Sequence, residues 1–241
     1  MKERIVKIGT SGYNYFWNEG KPTSFKWYLK QGFNTVEINA TFYSFPYRSW
    51  IKSWLDVPEY FDFSIKVNKI ITHYLRLSDK SIATFQKFKD KLKEIEHKIS
   101  FWLFQMPPTF EYSESNLQRI INFFTKAKLE GKGVIEFRDE SWFKARSIVE
   151  KLEENGIIMC SIDSPDFPND IYLCNGTIYV RLHGRKEWYN YEYSKEELDE
   201  LVKKISSLEF KKCYIYLNND HGILPNGFYL MEKFKINKLP V

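Results

Sequence analysis

The sequence predicts an α/β fold, specifically a (β/α)8 TIM barrel of eight parallel strands in a single domain spanning residues 1–241. Three observations lead there. Eight short apolar stretches alternate with mostly helical connections, an order that demands parallel strands and crossover helices. Eight such units in 241 residues is the size of a small barrel. Several of the strands also carry charged or amide residues at alternate positions near their C-terminal ends, where barrels of this kind hold their chemistry. A doubly wound open sheet is the alternative, but it would leave edge strands of different composition, and none is identifiable.

The elements follow in order. Val6–Thr10 is the first strand and leads into Ser11-Gly12 and an aromatic loop. A helix over about 24–31 closes on Gly32, a residue that accepts positive φ. Strand two, Thr35–Asn39, turns Val36 and Ile38 one way and Glu37 and Asn39 the other. The loop 40–46 carries Tyr43, and a short helix covers 47–55. Strand three, Phe61–Asn68, sets Phe63, Ile65 and Val67 opposite Ser64, Lys66 and Asn68; its loop holds Thr72-His73. A helix over 80–97 repeats Phe85, Phe88, Leu92 and Ile95 at helical spacing. Strand four, Ser100–Gln105, stops at Met106-Pro107-Pro108, since proline cannot continue a ladder.

A helix over 114–129 precedes strand five. There Ile135 and Phe137 share one face while Glu136 and Arg138 share the other. An ordinary core strand does not carry two charges on one face, so this strand is expected to have helices outside it and a polar pocket inside. A helix then runs from Trp142 to Glu154, and strand six spans Ile157–Ile162 with Asp163 at its tip. Strand seven, Ile178–His183, separates Val180 and Leu182 from Arg181 and His183. Ser194-Lys195-Glu196-Glu197 has the capping-box pattern that starts a helix. Strand eight, Cys213–Leu217, ends in Asn218-Asn219, and a last helix covers 226–234.

Composition narrows the function classes. Hydrophobic residues at 43% and charged residues at 28% describe a soluble globular protein, and aromatics at 18% are plentiful. The net charge of +5 is mildly basic, and runs such as Lys87 to Glu94 read as solvated helix faces rather than a nucleic-acid patch. Nucleic-acid binding is therefore a minor alternative. Three cysteines without a CxxC spacing read as reduced thiols, and the N-terminus is expected to enter a strand directly with no apolar leader. No window approaches a membrane span, so a cytoplasmic protein with no membrane partner is expected. Oligomeric state leaves no sequence signal.

If the polar strand faces point inward, Ser11, Glu37, Asn39, Lys66, Gln105, Glu136, Arg138, Asp163, Arg181, His183 and Asn218 converge on one pocket. Glu136, Glu37, Asp163 and His183 are the general acid/base candidates, and Lys66 is an anion holder or a desolvated base. Arg138 and Arg181 suit bidentate contact with a carboxylate or phosphate. Asn39, Gln105, Asn218, Asn219 and Ser11 suit a hydroxyl-rich ligand, with Tyr43 and His73 as further contacts. The bland reading is a salt-bridge network that only supports the fold; the amides, which such a network does not need, favour a ligand. Three carboxylates with His183 have divalent-metal chemistry, but the neighbouring lysine and arginines oppose a cation, so no metal ligand is assigned and the cofactor stays unassigned. HExxH, P-loop, GxGxxG and GxSxG patterns are all absent.

Gly9-Thr10-Ser11-Gly12-Tyr13, Val36 through Tyr43, Thr72-His73, Gln105-Met106-Pro107-Pro108, Glu136-Phe137-Arg138 with Ser141-Trp142, Arg181-Leu182-His183-Gly184 and Asn218-Asn219-Asp220 together resemble the YecE-like family. The match runs in order over nearly the whole chain. It implies a TIM-barrel fold and no particular activity, because the family is catalogued as a domain of unknown function. The leading expectation is an enzyme doing general acid/base chemistry on a small polar, anionic or sugar-like ligand. The alternatives are a non-catalytic ligand-binding barrel and a nucleic-acid-processing protein.

Overall fold

The computed structural model describes residues 4–129 and 131–236. Met1 to Glu3, expected to lead straight into the first strand, lie outside the described residues. The chain runs β1 (Ile5–Thr10), α1 (Ser24–Lys30), β2 (Thr35–Ile38), α2 (Ala40–Tyr43), α3 (Arg48–Leu55) and β3 (Asp62–Lys66). There follow α4 (Asp79–Lys91), β4 (Ile99–Gln105), α5 (Glu114–Lys126), β5 (Gly133–Glu136), α6 (Ser141–Lys144), α7 (Ile148–Glu153) and β6 (Ile157–Met159). The remainder is β7 (Ser161–Asp163), β8 (Leu173–Cys174), β9 (Thr177–Leu182), α8 (Lys195–Ser206), β10 (Lys212–Leu217) and α9 (Ile223–Lys233).

This is an α/β fold with parallel sheets. The hydrogen bonding resolves into two five-stranded sheets, and no closed ring of eight forms among the described residues. One sheet follows the order β1-β10-β9-β7 with β8 added on β9; the other follows β2-β3-β4-β5-β6. The chain divides into two compact units, Met1–Glu37 with Ser161–Val241, and Ile38–Cys160.

In the first unit, β1, β10, β9 and β7 are all parallel, with Ile5 opposite Lys212 and Lys212 opposite Thr177. Every residue of β9 is buried, as expected of a parallel strand covered on both faces. Gly9 is needed where β1 passes close to the start of β2: a Cβ there would meet the Thr35 carbonyl oxygen at 2.2 Å. The hydroxyl of buried Tyr28, on α1, ties the same two strands by accepting from Thr10 N at 3.1 Å and donating to Thr35 O at 2.8 Å. The capping box forms as expected, Ser194 and Glu197 exchanging side-chain bonds at the start of α8.

In the second unit, β3, β4, β5 and β6 run parallel, with Gln105 opposite Glu136. Its core is aromatic. Phe85 on α4 meets Trp102, Phe104 and Phe123 within 5.6 Å between ring centroids.

Several expected elements are subdivided. The helix expected over 80–97 is α4 followed by a 3-10 segment, Lys93–Lys98. The helix expected from Trp142 to Glu154 breaks at Ser147, which takes a left-handed φ of 54°. Strand six becomes β6 and β7, separated at Cys160, so its two halves belong to different sheets. Residues 40–46 and 72–73, expected as loops, contain α2 and a π-helical turn, Ile70–Tyr74. The last helix starts at Ile223, behind a 3-10 turn. β8 is a hairpin partner of β9 through the turn Asn175-Gly176, both at positive φ. Asn-Gly at such a turn is a strong local signal that the sequence analysis passed over.

Candidate functional site

The polar strand positions are indeed interior. Glu37, Glu136, Arg181 and His183 are completely buried, and Ser11, Asp163 and Lys66 nearly so. Seven candidates lie in each unit.

In the first unit, Arg181 donates from Nη2 to Glu37 Oε1 at 2.8 Å, and the Tyr179 hydroxyl donates to Glu37 Oε2 at 2.7 Å. Period-two alternation puts Tyr179, Arg181 and His183 on one face of β9 and its tip. Arg181 also reaches Ser11 Oγ at 3.3 Å and lies 3.4 Å from His183 Nε2. His183 Nδ1 faces the Asn218 amide at 3.1 Å. Tyr15, which the sequence analysis did not select, donates to Ser11 O at 2.7 Å and lies 3.2 Å from Asn218 Oδ1. Burial, and after it the Asp220 charge, pushes the Tyr15 phenol well up, so it stays protonated.

Asp163 stands apart at the tip of β7. It accepts from Arg185 Nε at 3.1 Å and from the Tyr193 hydroxyl at 2.8 Å, and that hydroxyl accepts from Gly184 N. Burial raises the Asp163 carboxyl, and the Arg185 charge opposes the rise. Asn219 is fully buried and donates to Tyr191 O at 2.7 Å and Asn226 Oδ1 at 2.8 Å. Both residues thus pin the segment after β9. Arg185, Tyr193 and Asn226 were not legible as partners, because their role depends on loop placement rather than on strand alternation.

In the second unit, Glu136 ends β5 and Arg138 lies two residues beyond it. Arg138 Nε donates to Glu136 Oε1, which also accepts from Gln105 Nε2 at 2.9 Å. The exit from β5 is braced by Trp142, whose ring stacks on Phe137 at 4.0 Å and whose Nε1 donates to Phe110 O at 2.6 Å. The Ser141-Trp142 motif therefore has a structural task.

The end of β3 supplies the rest of this cluster. The Lys66 ammonium sits 4.4 Å over the ring of Phe42, and the His73 ring meets the same phenyl edge-on at 5.0 Å. Thr72 Oγ1 lies 2.9 Å from His73 Nδ1. Thr41 fixes the geometry beneath by donating to Lys66 O at 2.7 Å, and Asn68 by donating to Thr41 O at 2.9 Å. His73 is lowered to about 4, first by burial and then by the positive charges of Lys66, Arg138, Lys69 and Arg76. It is neutral at pH 7 in a strongly electropositive place. Tyr43 is exposed on α2, with Lys69 Nζ 5.8 Å from its ring centre. Asn39 does not continue the face of Glu37 as expected: it has helical backbone angles at the entry to α2.

Among the described residues, no three His, Cys, Asp or Glu side chains gather as a metal-binding group. No helix among them is long and apolar enough to cross a membrane. The three cysteines are buried, free thiols.

A family model described as "Protein of unknown function DUF72" matches residues 7–235. A DUF72 family protein from Thermotoga maritima is similar at 26% identity, with a TM-score of 0.83 over 96% of this chain and 100% of the other. A DUF72 family protein from Enterococcus faecalis shares the fold at 20% identity and a TM-score of 0.78, over 98% of this chain and 100% of that one. No curated protein matches the chain. With nearly its whole length matched, and with the motifs that resemble the YecE-like family in place, the chain belongs to the DUF72 family of proteins of unknown function.

Proposed function

We propose that this protein is an enzyme that seats a small anionic, polar ligand at the ends of β3, β4 and β5 and exchanges a proton with it. The observation that carries this reading is the arrangement on Phe42: a nearly buried lysine ammonium on its face and a neutral histidine against its edge. Lys66 and Arg138 supply the charge that attracts an anion. Glu136, tied to Gln105 and Arg138, orients that guanidinium. Burial holds His73 neutral first and the surrounding cations second; an anion bound there offsets the cationic part, so the imidazole rises from about 4 toward the range in which it exchanges protons. Glu37 and Asp163 are each held by a guanidinium and a tyrosine hydroxyl, which suits them to supporting roles.

The reading includes a (β/α)8 barrel in a single domain, supported by the β/α alternation and the parallel sheets. It also includes a cytoplasmic location, supported by the three free thiols.

The test is an NMR titration of the His73 imidazole with and without millimolar inorganic phosphate. Phosphate is expected to raise its pKa, and Lys66→Met is expected to raise it without phosphate while abolishing the response. A His73 titration indifferent to phosphate refutes the site. If phosphate binds but the protein converts no compound in a metabolite extract assayed by mass spectrometry, the site binds without catalysis and the enzyme reading falls.

A further inference from the structure

Resting on the anion site just described, we infer that its ligand is a nucleoside phosphate, with the phosphate held by Lys66 and Arg138 and the base stacked on Tyr43. The ring of Tyr43 is among the most exposed large side chains of the protein, at 68% accessible. It is not an isolated surface aromatic. It stands at 89° to Phe42, with ring centroids 5.1 Å apart, and Phe42 is the ring that carries the Lys66 ammonium. The Lys69 ammonium lies 5.8 Å from the centre of Tyr43 itself. The order Lys66, Phe42, Tyr43, Lys69 therefore interleaves cations with rings outward from the buried site.

A free phosphate or a small carboxylate needs only the inner cations. An exposed ring flanked by a further cation offers a flat π-surface next to the charge, which is how proteins hold bases beside their phosphates without reading sequence. Tyr43 also loses little conformational freedom on binding, since a tyrosine has only two side-chain torsions to fix.

Calorimetry with AMP, ribose 5-phosphate, adenosine and inorganic phosphate tests the inference. AMP is expected to bind on the order of tenfold more tightly than ribose 5-phosphate, the share one base–aromatic stack contributes. Tyr43→Ala should remove that advantage and leave inorganic phosphate binding unchanged. Tyr47→Ala is the control, because Tyr47 is similarly exposed but packs on Trp50. Tighter binding of a short single-stranded oligonucleotide than of AMP assigns the same chemistry to a strand rather than a free nucleotide. Equal binding of AMP and ribose 5-phosphate, or an unchanged AMP affinity in Tyr43→Ala, overturns the inference while leaving the anion site standing. Failure of inorganic phosphate and ribose 5-phosphate to bind overturns the site itself.

Discussion

Replacing Arg181 by Met tests whether the buried polar cluster of the first unit is held together by charge. Arg181 and Glu37 are both fully buried, and the guanidinium donates to the carboxylate at 2.8 Å. Removing the cation leaves a carboxylate in the interior with the Tyr179 hydroxyl as its remaining donor from β9. Breaking such a pair from one side costs about 3–5 kcal/mol, most of it the penalty of stranding the other charge. For a chain of this size that lowers Tm by roughly 6–20 °C. Glu37→Gln alone should cost a similar amount, because it strands Arg181. The double variant Glu37→Gln/Arg181→Met removes both charges, and its glutamine still accepts from Tyr179. It should therefore recover most of the loss, with a coupling energy of at least about 2 kcal/mol. Urea titrations of the four proteins measure this, with hydrogen exchange at the Tyr179 and Tyr216 amides reporting the first unit alone. A loss below about 1 kcal/mol for Arg181→Met, or strict additivity in the double variant, would show that the pair is not what holds the cluster.

Other consequences concern pH and the loops. His73 is lowered to about 4 in the fold from an ordinary 6.5, so the unfolded chain takes its proton first as pH falls. Its contribution to stability is therefore present above pH 6.5, is lost between about 6.5 and 4, and levels off below. His73→Gln should flatten that part of a pH series of urea midpoints, and an unchanged slope would refute the assignment. Asp163 works with the opposite sign. Its raised carboxyl binds a proton more readily in the fold, so the wild-type protein gains stability from this group as pH falls; Asp163→Asn cannot follow and should be best tolerated near neutral pH, as urea midpoints at acidic and neutral pH would show. Gly184 has φ of 107°, and a Cβ there would lie 2.3 Å from the Glu187 carbonyl oxygen. Gly184→Ala should cost at least about 2 kcal/mol in thermal unfolding. Asn219→Ala removes the side-chain donor to Tyr191 O and one of the two donors to Asn226 Oδ1, the other being Tyr193 N, and should cost about 1–3 kcal/mol, with Trp188 fluorescence reporting the loosened segment.

The parts of the fold legible in the sequence are those governed by short periods. Strand alternation separated Glu37, Glu136, Arg181 and His183 from their apolar neighbours, because the side a residue faces depends only on its immediate neighbours, and all four are buried. The Ser194–Glu197 cap is local in the same sense. Partnership is not local. Nothing within a strand says that Glu37 will meet an arginine 144 positions later, or that Asp163 will be taken by Arg185 rather than turned toward a ligand. Local departures from regular geometry also escaped. The left-handed Ser147 and the π-turn carrying His73 both sit inside stretches whose apolar pattern suggests nothing unusual. The candidate residues thus emerged as one inventory, while the partner that each one takes needed the tertiary structure.

The register of β1 has a consequence for the birth of the protein. Its residues Ile5–Thr10 pair with Lys212–Leu217, more than 200 positions downstream. At ribosomal rates of about 5–20 residues per second, the first strand waits roughly 10–40 seconds for this partner to be synthesised. Residues 38–160 form a continuous stretch that is complete about 3–10 seconds earlier. The nascent chain therefore carries β1 without its β10 partner while residues 38–160 have already been made. β1 is the segment for which a holding chaperone would have most to do.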